Sequence, residues 1–159
     1  SIIQDSKGKM WFSTNGGVYI YDRTTLTNIS EKEGLQSNFV GQIIESKEGN
    51  FWISTSKGLF KYDGNTVINV TKNLLNQNDG VGCILEDKNG TLWFNANKRD
   101  IYSYSNKVFT KMESKVGEFK PFPFTIYQDK QERIWFVGLK GAYRLENNAF
   151  INVNRNGPW

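Results

Sequence analysis

The chain has 159 residues, of which 14% are aromatic, and a net charge of +4 from 20 Lys and Arg scattered among 16 Asp and Glu. It contains no histidine and one cysteine, Cys83, which excludes an internal disulfide framework, a cysteine metal site and histidine acid–base catalysis. Neither an apolar run of about 18 residues nor a block of basic residues is present, so the composition favours neither membrane insertion nor nucleic-acid binding.

A tryptophan recurs at a nearly constant interval along the chain. Trp11, Trp52, Trp93 and Trp135 are 41, 41 and 42 residues apart, and a period in this range indicates a repeat architecture. The extra residue of the last interval lies near residue 100, because the third copy lacks the glycine that follows the other tryptophans after six residues. We therefore predict four repeats, at about residues 1–41, 42–82, 83–124 and 125–159.

Each repeat begins with a short apolar strand that is followed by a tight turn. Gly8, Gly49 and Gly90 occupy this turn in the first three copies, where a positive φ angle favours glycine. The fourth copy has Glu132 instead, so its turn is expected to be looser or shifted. The first strands are predicted at residues 2–4, 40–45, 83–86 and 124–128.

The second strand of each repeat carries the tryptophan between two other large apolar residues. Three such residues in a row cannot all face one side of a strand, so this strand must be covered on both faces. The third strand alternates apolar and polar residues, and the fourth has the pattern of an outer strand. The second strands are predicted at 10–14, 51–55, 92–95 and 134–137, the third at 18–21, 59–62, 101–104 and 142–145, and the fourth at 26–29, 67–70, 109–112 and 150–153.

This pattern predicts an all-β fold, a β-propeller with four blades of four antiparallel strands in this chain. A single blade leaves two apolar faces in water, which neighbouring blades must cover. The alternative is an arc of a larger ring, for example one of seven or eight blades, completed by further blades or by a second copy of the chain. Residues 1–159 would then form one propeller domain or a partial propeller. Because residue 1 is not Met, we expect that a leader has been removed or that the chain is a piece of a longer one.

Three acids, Asp5, Asp87 and Asp129, recur at one place in the repeat. We interpret them as caps of the first turn, because a glycosidase needs two carboxylates facing one sugar and equivalent positions on different blades do not supply that pair. The four tryptophans are interpreted as the structural core of the repeat rather than as sugar platforms. Cys83 is expected to be a small buried hydrophobe. No catalytic residue, metal ligand or cofactor is predicted.

The motif around the first tryptophan resembles the two-component regulator propeller repeat. Asp5, Gly8, Trp11, Thr14 and Gly17 follow that family's pattern of Asp-x-x-Gly-x-x-Trp and a later Thr-x-x-Gly. The second copy has serine in place of the acid, the third lacks the Thr-x-x-Gly end, and the fourth lacks the first glycine. Residues 34–38, Gly-Leu-Gln-Ser-Asn, resemble the family's loop between blades.

The resemblance implies a periplasmic or extracellular sensor domain of a bacterial hybrid two-component system, many of which detect oligosaccharides. The expected function is therefore a non-enzymatic ligand-recognition propeller in signal transduction, with a glycan or another small molecule as its ligand. The alternatives are a scaffold for protein–protein interaction and a fragment of a carbohydrate-active hydrolase. Neither nucleic acid nor a membrane is an expected partner of this segment.

Ligand contacts are expected on the loops that follow the second and fourth strands, because these loops emerge on one face of a blade and rigid strands hold them. Amides, cations and exposed aromatic rings suit a sugar or peptide site. Residues 97–99, which replace a tight glycine turn in the third copy, are the clearest departure from the repeat. The candidate binding residues are Asn15, Asn38, Lys57, Asn78, Asp79, Asn97, Lys98, Arg99, Phe119, Phe122 and Lys140.

Overall fold

A computed structural model of the chain describes all residues except 30–33, 38, 77–78, 98, 113–120, 140 and 154–159. The described residues form sixteen β-strands and no α-helix. They divide into two compact units, residues 1–84 and 85–159. The all-β fold predicted from the repeat is confirmed.

Consecutive strands form four antiparallel sheets, each with its four strands in chain order. The first sheet contains β1 (Ile2–Gln4), β2 (Met10–Thr14), β3 (Gly17–Tyr21) and β4 (Leu26–Ile29). The second contains β5 (Val40–Glu45), β6 (Phe51–Thr55), β7 (Gly58–Tyr62) and β8 (Val67–Asn69). The third contains β9 (Val81–Glu86), β10 (Leu92–Ala96), β11 (Asp100–Ser105) and β12 (Val108–Met112). The fourth contains β13 (Phe122–Gln128), β14 (Ile134–Leu139), β15 (Gly141–Glu146) and β16 (Ala149–Asn152).

The tryptophan-bearing strand β6 is covered on both faces, as its run of apolar residues predicts. All five of its residues, Phe51–Thr55, are buried. In β2, the matching strand of the first sheet, Trp11 is the one buried residue and the other four are half-buried. The fourth strand of each sheet is an edge strand, which confirms its prediction as an outer strand.

In the first unit, the two sheets pack against each other through the ring of Trp11. Its indole stacks on Phe51 with ring centroids 3.7 Å apart and an interplanar angle of 22°, and the ring of Tyr62 meets it edge-on at 6.0 Å. Val18 and Leu35 belong to the same buried cluster. The repeated tryptophan therefore joins neighbouring sheets in this unit.

In the second unit, the tryptophan contact between the two sheets is edge-on rather than stacked. Trp93 meets Phe136 at 6.4 Å with an interplanar angle of 75°, and Phe136 meets Phe150 at 5.3 Å and 84°. Trp52 is buried like Trp11, whereas Trp93 and Trp135 are half-buried. The four equivalent tryptophans thus differ in how completely they are covered.

The turn between the first and second strands is built around one aspartate. Asp5 Oδ1 accepts hydrogen bonds from the backbone N–H of Lys7 (3.0 Å) and Lys9 (2.8 Å), while Oδ2 accepts the indole N–H of Trp11 (2.8 Å). Burial of Asp5 opposes its ionisation, but these bonds outweigh burial and hold its pKa below the usual value. The acid is therefore a turn cap, as expected. The indole bond recurs from Trp93 to Asp87 (2.9 Å) and from Trp135 to Asp129 (2.7 Å).

The expectation of a looser turn in the fourth copy is wrong. Glu132 adopts φ 68, in the same left-handed region as Gly8 with φ 83. Its N–H donates to the Asp129 carbonyl at 2.9 Å, as the Gly8 N–H does to the Asp5 carbonyl. The side chain of Asp129 accepts the same two backbone N–H groups as its counterpart Asp5. This set of bonds holds a residue with a Cβ in a conformation that costs about 1–2 kcal/mol.

Cys83 lies on β9 and is buried. Burial raises the pKa of its thiol to about 12, so the thiol is protonated at neutral pH and is a poor nucleophile. The interpretation of Cys83 as a small buried hydrophobe is confirmed.

Candidate functional site

The β6–β7 turn in the first unit brings together both kinds of loop that were expected to carry a ligand. The N–H of Ser56 donates to the Phe39 carbonyl at 3.2 Å, and the Ser56 hydroxyl lies 2.8 Å from that of Ser37. On its other side, the Cα of Ser56 would lie 3.1 Å from a Cβ placed on Gly80. The β4–β5 and β8–β9 connections therefore flank this turn on one face of the sheet.

A chain of side-chain hydrogen bonds orders the polar groups beside the turn. The backbone N–H of Thr71 donates to Asn69 Oδ1 at 3.0 Å. The Asn69 amide nitrogen then donates to the Lys57 carbonyl (3.3 Å) and to Gln36 Oε1 (3.1 Å). Because a backbone N–H can only donate, this chain determines which end of each amide points inward.

Gly58 allows the backbone to approach these groups closely. It has φ 124, and a Cβ at this position would lie 2.5 Å from Thr71 Oγ1. The Thr71 hydroxyl accepts the N–H of Leu59 at 3.0 Å and Thr71 is 1% exposed. Any larger residue at position 58 would push this buried threonine away and disorder the amide chain beyond it.

These elements enclose an open cleft of about 300 Å³. Its lining residues carry two ammonium groups, three side-chain amides, one hydroxyl and one leucine side chain. Three sections of chain supply them: the β4–β5 connection, the β6–β7 turn, and the segment from the end of β8 onward. The lining residues are Gln36, Lys57, Asn69, Thr71, Lys72, Leu75 and Asn76.

The charges around the cleft are predominantly positive. Lys57 and Lys72 are exposed at its surface, and none of its lining residues is acidic. The nearby carboxylate of Asp79 accepts two hydrogen bonds from Asn76, from its backbone N–H (2.9 Å) and from its amide nitrogen (2.8 Å). The arrangement therefore favours a ligand that accepts hydrogen bonds and carries negative charge.

A second cleft in this unit, of about 130 Å³, lies beside Asp5 and Trp11. Its two carboxylates already accept protein hydrogen bonds: Asp5 from the turn that it caps, and Glu45 from the N–H (2.7 Å) and hydroxyl (2.6 Å) of Ser6. The bonds between Ser6 and Glu45 join the two sheets, so this cleft is part of the packing between them. The larger cleft is the stronger candidate for ligand binding.

Of the candidate residues predicted in the first unit, the structure places Lys57 in the cleft and Asp79 against Asn76 beside it. Asn15 is exposed on the β2–β3 turn, the position in the first sheet that matches Ser56. Two further candidates of this unit, Asn38 and Asn78, lie outside the described residues.

In the second unit, Asn97 and Arg99 are exposed on the β10–β11 turn. Asn97 adopts φ 48, and its carbonyl accepts the N–H of Arg99 at 2.8 Å. Phe122 is half-buried at the start of β13, where its ring meets Phe124 edge-on at 5.8 Å. The remaining candidates, Lys98, Phe119 and Lys140, lie outside the described residues.

Most of the cleft was not predicted from the sequence. Gln36 lies within residues 34–38, which were identified as a loop motif, and this motif could have led to it. Asn69 and Thr71 stand at the same places in the second copy as Asn28 and Ser30 in the first. Asn28 donates to the Gly16 carbonyl at 3.1 Å, as Asn69 does to that of Lys57. No pattern in the sequence pointed to Lys72, Leu75 or Asn76.

Antiparallel four-stranded sheets in chain order, packed through aromatic rings, are the blades of a β-propeller. Residues 34–57 and 75–98 match the model of the family described as two component regulator propeller. Both matches include a connection between sheets and the following tryptophan-bearing strand. The resemblance seen in the blade motif is thus confirmed: these two segments match the two-component regulator propeller repeat.

The structure is similar to extracellular domains of hybrid two-component systems from B. thetaiotaomicron. That of BT3049 is 28% identical, with a TM-score of 0.72 over 92% of this chain and 21% of the matched chain. That of BT4673 is 20% identical, with a TM-score of 0.76 over 91% of this chain and 21% of the other. The chain spans about a fifth of the length of these structures, which is consistent with an arc of a larger propeller.

A virginiamycin B lyase from Staphylococcus aureus is also similar, with a TM-score of 0.75 over 98% of this chain and 55% of the lyase chain. The two sequences are 15% identical, so this likeness shows the fold alone. A comparison with curated protein sequences finds no match.

In the part of the chain that the structure describes, no helix has the length and apolar character needed to cross a bilayer. Among the same residues, no three His, Cys, Asp or Glu side chains gather closely enough to hold a metal ion. The polar groups of the cleft itself are amides, ammonium groups and one hydroxyl.

Proposed function

We propose that the chain is a ligand-recognition part of an extracellular or periplasmic sensor in two-component signalling, and that it binds an oligosaccharide in the cleft of the first unit. The observation that carries this proposal is the ordered amide chain from Thr71 through Asn69 to Gln36. It holds polar groups in one orientation at the surface of a cleft, which is how a sugar site provides specificity.

The comparisons support the sensor part of the proposal. The two segments that match the family model contain Gln36 and Lys57 in one case and Leu75 and Asn76 in the other. Both similar B. thetaiotaomicron structures are extracellular domains of hybrid two-component systems. Four of the seven lining residues therefore lie in the segments that match the family model.

The chemistry of the cleft supports binding without catalysis. Its lining holds no pair of carboxylates for glycoside hydrolysis, and the sequence has no histidine to act as a general base. The Asp5 carboxylate, the first of the repeated acids, is occupied by three hydrogen bonds within its own turn. The groups that remain at the cleft surface can bind and orient a ligand.

Titration of the chain with a panel of di- to tetrasaccharides, followed by isothermal calorimetry and by backbone amide chemical shifts, tests the proposal. We expect saturable binding with shifts concentrated at Gln36, Lys57 and residues 69–76. Gln36→Ala should weaken binding about fivefold or more, because it removes one oriented donor.

The matched control is Asn65→Ala, which removes an exposed amide on the β7–β8 turn of the same unit and should leave binding unchanged. Binding that is equally weak in Asn65→Ala and Gln36→Ala would move the site away from the cleft. Failure of the wild-type chain to bind any saccharide would overturn the proposal and favour the interaction scaffold that the sequence left as an alternative.

A further inference from the structure

We infer that the ligand of this cleft is an anionic saccharide, one that carries a carboxylate or a sulfate on the sugar. This inference rests on the proposed function and narrows its ligand class. It follows from the orientation of the amides, from the charges that line the cleft, and from the apolar residue beside them.

The orientation of the amide chain makes Gln36 a donor toward the cleft. Asn69 Oδ1 is taken by the N–H of Thr71, so the Asn69 amide nitrogen faces Gln36 and Gln36 Oε1 accepts from it. The nitrogen of Gln36 is consequently the end that remains for the cleft, and it has no acceptor among the described residues. A ligand at this place must supply a hydrogen-bond acceptor.

The ammonium group of Lys72 adds a second donor on the same cleft. Lys72 is exposed and forms no ion pair with a described residue, and Lys57 lines the cleft as well. Donors that carry positive charge bind anionic acceptors roughly twice as strongly as neutral ones. A carboxylate or sulfate therefore suits this end of the cleft better than a hydroxyl group.

Two other lining residues favour a sugar over a free anion. The amide nitrogen of Asn76 donates to Asp79 Oδ2, which leaves Asn76 Oδ1 as an acceptor for a sugar hydroxyl. Leu75 is half-buried in the lining and offers an apolar surface to the C–H face of a pyranose ring. The volume of about 300 Å³ is at the lower end for ligand sites, which suits one or two sugar rings.

The first copy of the repeat lacks the cations of this cleft, whereas the sequences of the third and fourth copies have lysine at the position of Lys57, namely Lys98 and Lys140. The residue that matches Lys57 in the first copy is Gly16, and the residue that matches Lys72 is Glu31. Asn28, the counterpart of Asn69, donates to the carbonyls of Gly16 and Val18 instead of to a glutamine. The first copy, which folds into the same four-stranded sheet, thus lacks both cations, so the fold of a blade does not require them.

The test uses four probes with the intact chain: digalacturonate, its methyl ester, galactose 6-sulfate and inorganic sulfate. Binding is measured by calorimetry at about 20 mM and 200 mM NaCl. We expect digalacturonate or galactose 6-sulfate to bind about tenfold more tightly than the methyl ester. The binding of the anionic sugar should weaken at the higher salt concentration. The relative affinities of the carboxylate and the sulfate probes tell which anionic group the cleft prefers.

Two variants test whether Gln36 and Lys72 contact the anion or only stabilise the fold. Gln36→Glu retains the oxygen that accepts from Asn69 but replaces the donor with negative charge, so anionic binding should fall about tenfold while the folded state persists. Lys72→Gln should weaken anionic binding about three- to fivefold. Lys130→Gln, at an exposed turn of the second unit, is the matched control and should change nothing.

Equal binding of digalacturonate and its methyl ester would overturn the anionic ligand class and leave the proposed oligosaccharide site standing. Unchanged anionic binding in Gln36→Glu and Lys72→Gln would overturn the location in this cleft. Inorganic sulfate bound as tightly as the sugars would overturn the saccharide class. Absence of binding by every saccharide, charged or neutral, would overturn the proposed function together with this inference.

Discussion

Trp11 and Trp135 belong to the same local motif but lie in different surroundings. In both, the indole N–H donates to an aspartate six residues earlier, at 2.8 and 2.7 Å. Trp11 is 3% exposed because Phe51 and Tyr62 of the next sheet cover it. Trp135, in the last sheet of the chain, is half-buried. The motif orients the ring, and the neighbouring sheet decides whether the ring is buried.

Cations take the place of aromatic rings around Trp135. The guanidinium carbons of Arg133 and Arg144 lie 5.3 and 5.5 Å from its ring centroid. Arg133 also binds the carboxylate of Asp129 at 2.6 Å, and Arg144 forms an ion pair with Glu146. Arginine can lie over an indole and keep its charge in water, so this face tolerates solvent in a way that the face of Trp11 does not.

The largest expected difference between the two turns is the cost of removing the ring. Trp11→Ala should destabilise the protein by about 3–5 kcal/mol, because a fully buried ring leaves a cavity between two sheets. Trp135→Ala should cost about 2 kcal/mol or less, because a half-buried ring loses less buried apolar area. Urea unfolding followed by circular dichroism measures both. Equal costs would mean that Trp135 is covered as completely as Trp11.

A smaller effect is expected from the carboxylate that holds the buried ring. Asp5→Asn should cost about 2 kcal/mol, since an amide cannot accept from two backbone N–H groups and the indole N–H at the same time. Asp22→Asn, in an exposed turn of the same sheet, is the control and tests whether any turn aspartate has this effect. A cost at Asp22 as large as that at Asp5 would remove the special role of the indole bond.

The turn between the first and second strands has Gly8 in the first copy and Glu132 in the fourth, so substitutions at these two positions can be compared. Gly8→Ala should cost about 1–2 kcal/mol because φ 83 disfavours a Cβ, although a Cβ there would meet no atom closer than the Arg23 guanidinium at 3.6 Å. Glu132→Gly should stabilise the protein by about 0.5 kcal/mol, since relief at φ 68 exceeds the entropy that glycine adds to the unfolded chain. Glu132→Ala is the control for loss of the exposed ion pair with Lys88, and it should be nearly neutral. Thermal melting of the three variants measures these changes, and any other order of their melting temperatures would contradict the prediction.

The smallest expected effect is a difference in acid sensitivity. Burial opposes ionisation of Asp129, but bonds from Trp135 and Arg133 lower its pKa from 3.8 to about 2. A lowered carboxylate pKa stabilises the fold above the unfolded value, and this stability is lost as the pH falls from about 3.8 to about 2. Urea midpoints measured across this window should fall less steeply in Asp129→Asn than in the wild type. Identical slopes would show that Asp129 titrates as in the unfolded chain.

The two sets of contacts explain which parts of the molecule the sequence could predict. The Asp–Trp turns join residues six positions apart, and their signature repeats, so the strands and the caps could be read directly from the chain. The Glu132 turn was mispredicted because glycine was taken as the requirement, whereas the hydrogen bonds to Asp129 are sufficient. The cleft was largely missed because the bond between Asn69 and Gln36 spans 33 residues and, within the described parts of the chain, has no counterpart in another copy.

The amino-acid sequence by itself determined the repeat, the all-β fold, the turn chemistry and the family resemblance, because each depends on residues close together in the chain. The tertiary structure alone decided which tryptophans are buried and which way the amide of Gln36 faces. It also decided that Lys57 and Lys72 share one cleft. These outcomes depend on how sheets and connections meet, and the free energy of such contacts is set by distance in space rather than by separation along the chain.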